Sequence, residues 1–299
     1  MGVGQVPTPS SVGYYSPMIQ LRSASLDDVG QEEGFPFSVP VVRTLESLDL
    51  AARVCLFVGE NGSGKSTLME ALAVAADLPA VGSGSLARDP SLSAQRRLAK
   101  RLRLVWHRRN HRGFFLRAED FFGFQKTVTA HRLEHEAELQ RLNIELKDAS
   151  PLARNLAMGV HRGSIEALTS RYGEDPDGRS HGEAFLNLFK ARLVPDGLYL
   201  LDEPEAALSP QSQLAFLSML RDAVGDGGQF IITTHSPILM AIPSARIFSF
   251  DDGRVREVGF EELESVALVR GFLQSPEQYL RHLWPPVDQA VGQEKSSDV

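Results

Sequence analysis

Residues 53–67 read Arg-Val-Cys-Leu-Phe-Val-Gly-Glu-Asn-Gly-Ser-Gly-Lys-Ser-Thr. The apolar run in Arg53–Val58 is the pattern of a strand buried on both faces. Gly59–Ser66 then matches G-x-x-x-x-G-K-[ST] in full and leads into helical residues from Ser66 to Ala76, stopped by Pro79. A strand, such a loop and a helix in that order make a phosphate cradle. Glycines let backbone N–H groups surround phosphate oxygens, and the helix N-terminus adds positive partial charge. Gly59, Asn61, Gly62, Ser63 and Gly64 form the candidate cradle. Lys65 supplies a point charge for β- and γ-phosphates, Ser66 a hydroxyl for Mg²⁺, and Thr67 a contact for the α-phosphate.

Outward from the loop, two further strand ends carry chemistry. Leu198-Tyr199-Leu200-Leu201 runs into Asp202-Glu203-Pro204. Ligands of parallel sheets sit at the carboxyl ends of the strands. Successive strand residues face opposite ways, so Asp202 is read as a Mg²⁺-shell residue and Glu203 as the base facing an attacking water. Gln229–Thr233 is the next strand, and His235 follows it within Thr-Thr-His-Ser-Pro, placed to contact the γ-phosphate and orient that water.

The body alternates strands and helices, which implies an α/β fold with a mainly parallel central sheet. Ser209-Pro210 makes an N-cap and N1 pair for a helix to about Val224. Ile247–Phe250 and Arg254–Val258 are expected as strands around Asp251-Asp252-Gly253. Residues 1–17 are expected to be a flexible N-terminus, 18–291 one nucleotide-binding head, and 292–299 a disordered tail. Within the head, about 80–193 lacks strong parallel-strand signals and is expected to be a mainly helical insertion, its long helix running from Glu119 to about Lys147.

The 299 residues are 42% hydrophobic and 23% charged, which excludes wholesale disorder. A net charge of −7 excludes a uniformly basic surface. Cys55 stands alone, so no internal disulfide forms, and no Cys/His cluster has zinc spacing. The apolar runs are far shorter than the roughly 18–20 residues of a membrane span, and Met1–Ser10 lacks the pattern of a signal peptide. The expectation is a cytoplasmic protein with no stable membrane insertion.

Together these residues resemble ABC-type ATPases, nearest the stand-alone, SMC-like branch often labelled AAA-family. Arg179-Ser180-His181-Gly182-Glu183 is similar to that family's LSGGQ/E signature, with Arg179 and His181 as departures. Ala207-Leu208-Ser209 is similar to its D-loop. The resemblance implies a P-loop NTPase fold with a helical subdomain, and ATP hydrolysis with Mg²⁺. It also implies an ATP-dependent homodimer closed head to tail. Ser180, Gly182 and Glu183 of one head would then complete the other head's nucleotide site. The family's Q-loop glutamine has no clean counterpart. Phe114–Glu119 resembles that segment, with Glu119 as a substitute metal-shell residue and Gln125 as the weaker choice. Phe35, Phe37 and Arg43 lie where adenine contacts are sought but are read as core or surface. A slow ATP-dependent binding switch and the ATPase subunit of a membrane transporter are the alternative roles.

Arg96–Arg117 holds nine Lys/Arg and no acid, with Trp106, Phe114 and Phe115 interleaved. Three readings are open: a solvated basic face, an internal partner for the acidic helix Glu134–Glu145, or a nucleic-acid surface with aromatic stacking.

Overall fold

A computed structural model describes residues 19–27, 32–81, 92–172 and 181–284. The strands are β1 (Leu21–Leu26), β2 (Ser47–Asp49), β3 (Val54–Val58), β4 (Leu102–Trp106), β5 (Gly113–Arg117), β6 (Leu198–Asp202), β7 (Gln229–Thr233), β8 (Arg246–Ser249) and β9 (Arg256–Val258). The helices are α1 (Pro40–Arg43), α2 (Lys65–Ala75), α3 (Ser93–Ala99), α4 (Ala118–Glu145), α5 (Pro151–Tyr172) and α6 (His181–Arg192). They continue with α7 (Pro210–Gly225), α8 (Pro237–Met240), α9 (Glu264–Gln274) and α10 (Pro276–Leu283).

The main sheet has six strands in the order β5-β6-β7-β3-β8-β9. All neighbours are parallel except the β8–β9 hairpin, whose register pairs Ile247 with Val258. Every residue of β3, β6 and β7 is buried, as their apolar runs require. Alternate side chains feed two cores. Cys55, Phe57, Leu200 and Ile231 pack with Leu68, Met69 and Leu72 of α2 on one face. Leu56, Val58, Tyr199, Leu201 and Phe230 pack with Phe185 and Phe189 of α6 and Phe216 of α7 on the other.

A smaller antiparallel sheet, β2-β1-β4, flanks the first core. Gln229 joins the two sheets. Its Oε1 accepts from the backbone N–H groups of Gln20 and Leu21, and its Nε2 donates to the carbonyls of Leu21 and Leu50. Arg246 makes a second tie, from β8 to Asp49 on β2 at 2.7 Å.

The stretch from 80 to 193, expected to be a mainly helical insertion, carries α3 to α6 but is not wholly an insertion. It contains β4 and β5, and β5 is the edge strand of the main sheet, pairing Phe115 with Leu200. The strand is hidden in the sequence because its apolar residues sit among arginines. Gly113 opens it at φ 116, where a Cβ would lie 1.8 Å from the carbonyl oxygen of Leu198, so the close approach of β5 to β6 requires glycine. After β5 the helices resume at Ala118, with α4 and α5 as an antiparallel pair followed by α6.

Candidate functional site

The carboxyl ends of β3, β6 and β7 lie side by side, since Leu56 pairs with Ile232 and Asp202 with Thr233. The phosphate loop, the acid pair and the Thr-Thr-His segment therefore meet at one sheet edge. Gly64 is the N-cap of α2 with φ 101, and a Cβ there would come within 2.6 Å of Val41 and 2.7 Å of Val39. The segment entering α1 thus packs directly on the loop.

Lys65 is buried, and its Nζ donates to the carbonyls of Gly59 and Glu60, each at 2.8 Å. Burial pulls its pKa below the usual lysine value, against the raising influence of Glu203, Asp202 and Asp251. Ser66 Oγ donates to Asp202 Oδ1 at 3.2 Å, and the hydroxyl of Thr233 donates to the same carboxylate. Burial pushes Asp202 above the ordinary carboxylate range, and these two hydrogen bonds oppose it. Ser63 Oγ is buried without a hydrogen-bond partner in the structure. An unpaired hydroxyl in the loop, the left-handed glycines and the Ser66–Asp202 pair fit a Mg²⁺-nucleotide phosphate chain.

Glu203 adopts φ 50, a left-handed conformation rarely held by a residue with a Cβ. Its backbone N–H donates to both the carbonyl and the hydroxyl of Thr233, which pins the turn. Its Oε1 then lies 3.4 Å from His235 Nε2. Behind them Glu205 accepts from Thr234 Oγ1 and from the N–H of His235. Ser236 caps α8 and donates to Gln213, which in turn donates to the carbonyl of Leu208. These bonds tie the histidine segment to the D-loop-like turn.

Of the signature-like stretch, Ser180 lies outside the described residues. Gly182 is buried in the first turn of α6, where a Cβ would stand 3.0 Å from Ser212 Oγ. Glu183 is exposed beside it. Glu119 does not join Ser66 and Asp202: its side chain is 79% exposed and 3.9 Å from Arg117 Nε. The reason is local, because α4 starts at Ala118 and its first turn carries Glu119 outward. Gln125 lies in the second turn of the same helix. Upstream, Phe37 is buried beneath the guanidinium of Arg97, whereas Phe35 is half exposed.

Two participants escaped the sequence reading. Asp251, in the β8–β9 turn, accepts from the N–H of Glu60 and from Ser249 Oγ, bracing the phosphate loop across 191 residues of sequence. Arg117 lies opposite Asp202 in the β5–β6 register. The doublet Asp251-Asp252 before Gly253 reads as a turn, and nothing local marks the loop contact.

The basic stretch is not a continuous free face. Arg97 and Arg101 pair with Glu32, Arg103 with Asp27, Arg108 with Asp196, and Arg117 with Glu70 and Asp120. Arg109 lies over Trp106. None of these pairs uses the Glu134–Glu145 helix, whose Glu136 and Glu145 pair with Arg132 and Arg141 of α4 itself. Among the described residues no helix is long and apolar enough to cross a membrane.

Comparisons with known proteins follow this geometry. Residues 38–148 match the family described as "AAA domain", and residues 176–241 match "AAA domain, putative AbiEii toxin, Type IV TA system". The macrolide export ATP-binding/permease protein MacB of Nitrosomonas europaea is 28% identical over 80% of this chain, which spans only 33% of that relative. The hemin import ATP-binding protein HmuV of Nocardia farcinica is 27% identical, covering 74% of this chain and 72% of its own length. Among solved structures, cbiO1 of Clostridium perfringens aligns over 89% of this chain and 99% of its own, with TM-score 0.45 and 16% identity. The two matched stretches carry the phosphate loop and the acid pair between them, and the ATP-binding relatives run across most of the chain, so the chain is similar to ABC-type ATP-binding proteins.

Proposed function

We propose that the chain hydrolyses ATP to ADP and phosphate within a head-to-tail dimer that closes on two nucleotides. The observation that carries this reading is the meeting of Lys65, Ser66, Asp202, Glu203 and His235 at one sheet edge. Lys65 would exchange its two carbonyl partners for β- and γ-phosphate oxygens, and the loop N–H groups would hold the rest of the chain. Ser66 and Asp202 would hold Mg²⁺, which when bound neutralises phosphate charge. Glu203 accepts the proton of a water whose oxygen attacks the γ-phosphorus as the bond to the β-phosphate oxygen breaks. His235, within reach of Glu203, orients that water.

In the dimer, Ser180 and the N–H of Gly182 would reach the partner's γ-phosphate from the N-terminus of α6. The packing of Gly182 against Ser212 and Ala207 supports this reading, because it couples the signature to the turn that follows the acid pair. The test uses Lys65→Ala and Ser180→Arg. Lys65→Ala should lose most affinity for a fluorescent ATP analogue. Ser180→Arg should bind nucleotide as a monomer yet neither dimerise nor turn over. Normal hydrolysis by monomeric Ser180→Arg would sink the sandwich.

A second role, the ATPase subunit of a membrane transporter, is favoured by the printed names of MacB and HmuV. Affinity capture with Glu203→Gln protein and ATP separates the roles: co-purification of a membrane permease supports it, and a soluble partner supports the switch reading. A nucleic-acid role gains little from the basic stretch, given its intramolecular ion pairs.

A further inference from the structure

Arg117 occupies a junction that the nucleotide chemistry described above does not use. It is the last residue of β5 and the N-cap of α4. Its Nη1 donates to Glu70 Oε1 at 2.8 Å, and its Nε and Nη2 grip Asp120 in a two-pronged pair at 2.7 and 3.2 Å. The guanidinium is only 11% exposed and Glu70 10%. Gln95 donates to the other oxygen of Glu70 at 2.7 Å, so that carboxylate is held from two sides. Two charges taken this far out of water are kept only by good pairing, and the loss of one partner is costly.

The three tied elements are the ones a nucleotide site needs aligned. Glu70 lies one helical turn after Ser66, on the same face of α2. Fixing Glu70 therefore fixes the rotation of α2 and the direction of the Ser66 hydroxyl toward Asp202. Asp120 lies in the first turn of α4, the start of the helical arm. Asp202 is the register partner of Arg117 itself on the neighbouring strand.

We propose that Arg117 is a positioning residue: it locks the phosphate-loop helix through Glu70 and the root of the helical arm through Asp120, so that the Ser66–Asp202 metal site is preformed and nucleotide binding is felt by the arm. The proposal rests on the ATPase reading but concerns residues that touch neither nucleotide nor metal. A planar fork serves two carboxylates on different helices; a lysine ammonium on a flexible stem does not reproduce it.

The experiment measures binding of a fluorescent ATP analogue as a function of Mg²⁺ concentration for wild type, Arg117→Lys and Arg117→Gln. Thermal melts establish the folded fraction. Arg117→Lys should need about 10-fold more Mg²⁺ for half-saturation, the scale on which supporting residues act on metal sites. Its kcat should fall more than its KM for ATP changes. A folded Arg117→Lys with wild-type Mg²⁺ dependence overturns the proposal, even if its melting temperature is lower, because the pair would then be structural only. Asp120→Asn, which cuts only the arm side, keeps the proposal testable if both Arg117 variants fail to fold. It should retain wild-type nucleotide and Mg²⁺ affinity but lose the hydrogen-exchange protection that nucleotide confers on residues 118–124. Unchanged protection there overturns the arm half of the lock. Wild-type protein that binds no Mg²⁺-nucleotide defeats the ATPase reading itself, a result distinct from variants that merely match wild type.

Discussion

His235 Nε2 stands 3.4 Å from Glu203 Oε1, although the two residues belong to loops after different strands. The parallel pairing of β6 with β7 brings those loops together, and the backbone of Glu203 is anchored on Thr233 from β7. Both side chains are partly open to solvent, at 38% and 41% exposure, as the proposed attack by a water requires. The proposed base and orienter are thus brought together by a strand pairing.

Glu203→Gln should retain ATP binding and lose turnover by roughly 100-fold or more, since the amide fills the same space but accepts no proton at neutral pH. His235→Ala should lower kcat less, by about 10-fold, with little change in KM. Steady-state phosphate release together with nucleotide titration checks both. Wild-type turnover by Glu203→Gln would remove it from the role of base.

Asp202→Asn should separate stability from function. Burial raises the pKa of Asp202 above its unfolded value, so its ionised form costs stability above the folded pKa. That cost fades as pH falls through the folded pKa toward the unfolded one. The neutral amide carries no such cost and can still accept from Ser66 and Thr233. The nucleotide-free variant should therefore melt higher than wild type at pH 7, with the difference shrinking toward acid pH. Mg²⁺-dependent stabilisation by ATP should be lost. Calorimetric scans at two pH values, with and without Mg²⁺-ATP, decide it.

Gln229→Leu should destabilise the fold by about 3 kcal/mol, because the N–H groups of Gln20 and Leu21 and the carbonyls of Leu21 and Leu50 would lose their partner in a buried setting. Urea unfolding measures it, and a loss under about 1 kcal/mol would mean that water replaces the amide at the sheet junction.

Cys55 lies on β3 with its thiol pushed up to about 12 by burial. A thiol so rarely ionised is unreactive at neutral pH. Maleimide labelling of the native protein at pH 7.5 should be negligible over an hour and complete in urea. Rapid native labelling would show that the central strand opens.

Much of the nucleotide site was legible before any coordinates, because its chemistry is local in the chain. Strand, glycine loop, lysine and serine are consecutive, and so are the strand and acids at Leu198–Glu203. Ser209-Pro210 likewise declared the start of α7: Ser209 accepts from the N–H of Ser212, as its type and place require. Such features depend on backbone geometry within a few residues, so the residue order alone specifies them. The edge strand β5 was not legible, since what makes Gly113–Arg117 a strand is the neighbouring β6, and its flanking arginines mask the apolar core of the run. Arg117, Asp251 and Gln229 looked like an ordinary cation, a turn residue and a strand start. Each acts on groups 47 to 209 positions away in the chain. Their roles come from burial, which makes an unpaired charge or amide costly and so selects partners by proximity in the fold. The sequence by itself therefore determined the phosphate loop, the acid pair and the α/β class. Only the tertiary structure decided which distant carboxylates and amides hold that loop in place, because those pairings arise when the chain packs.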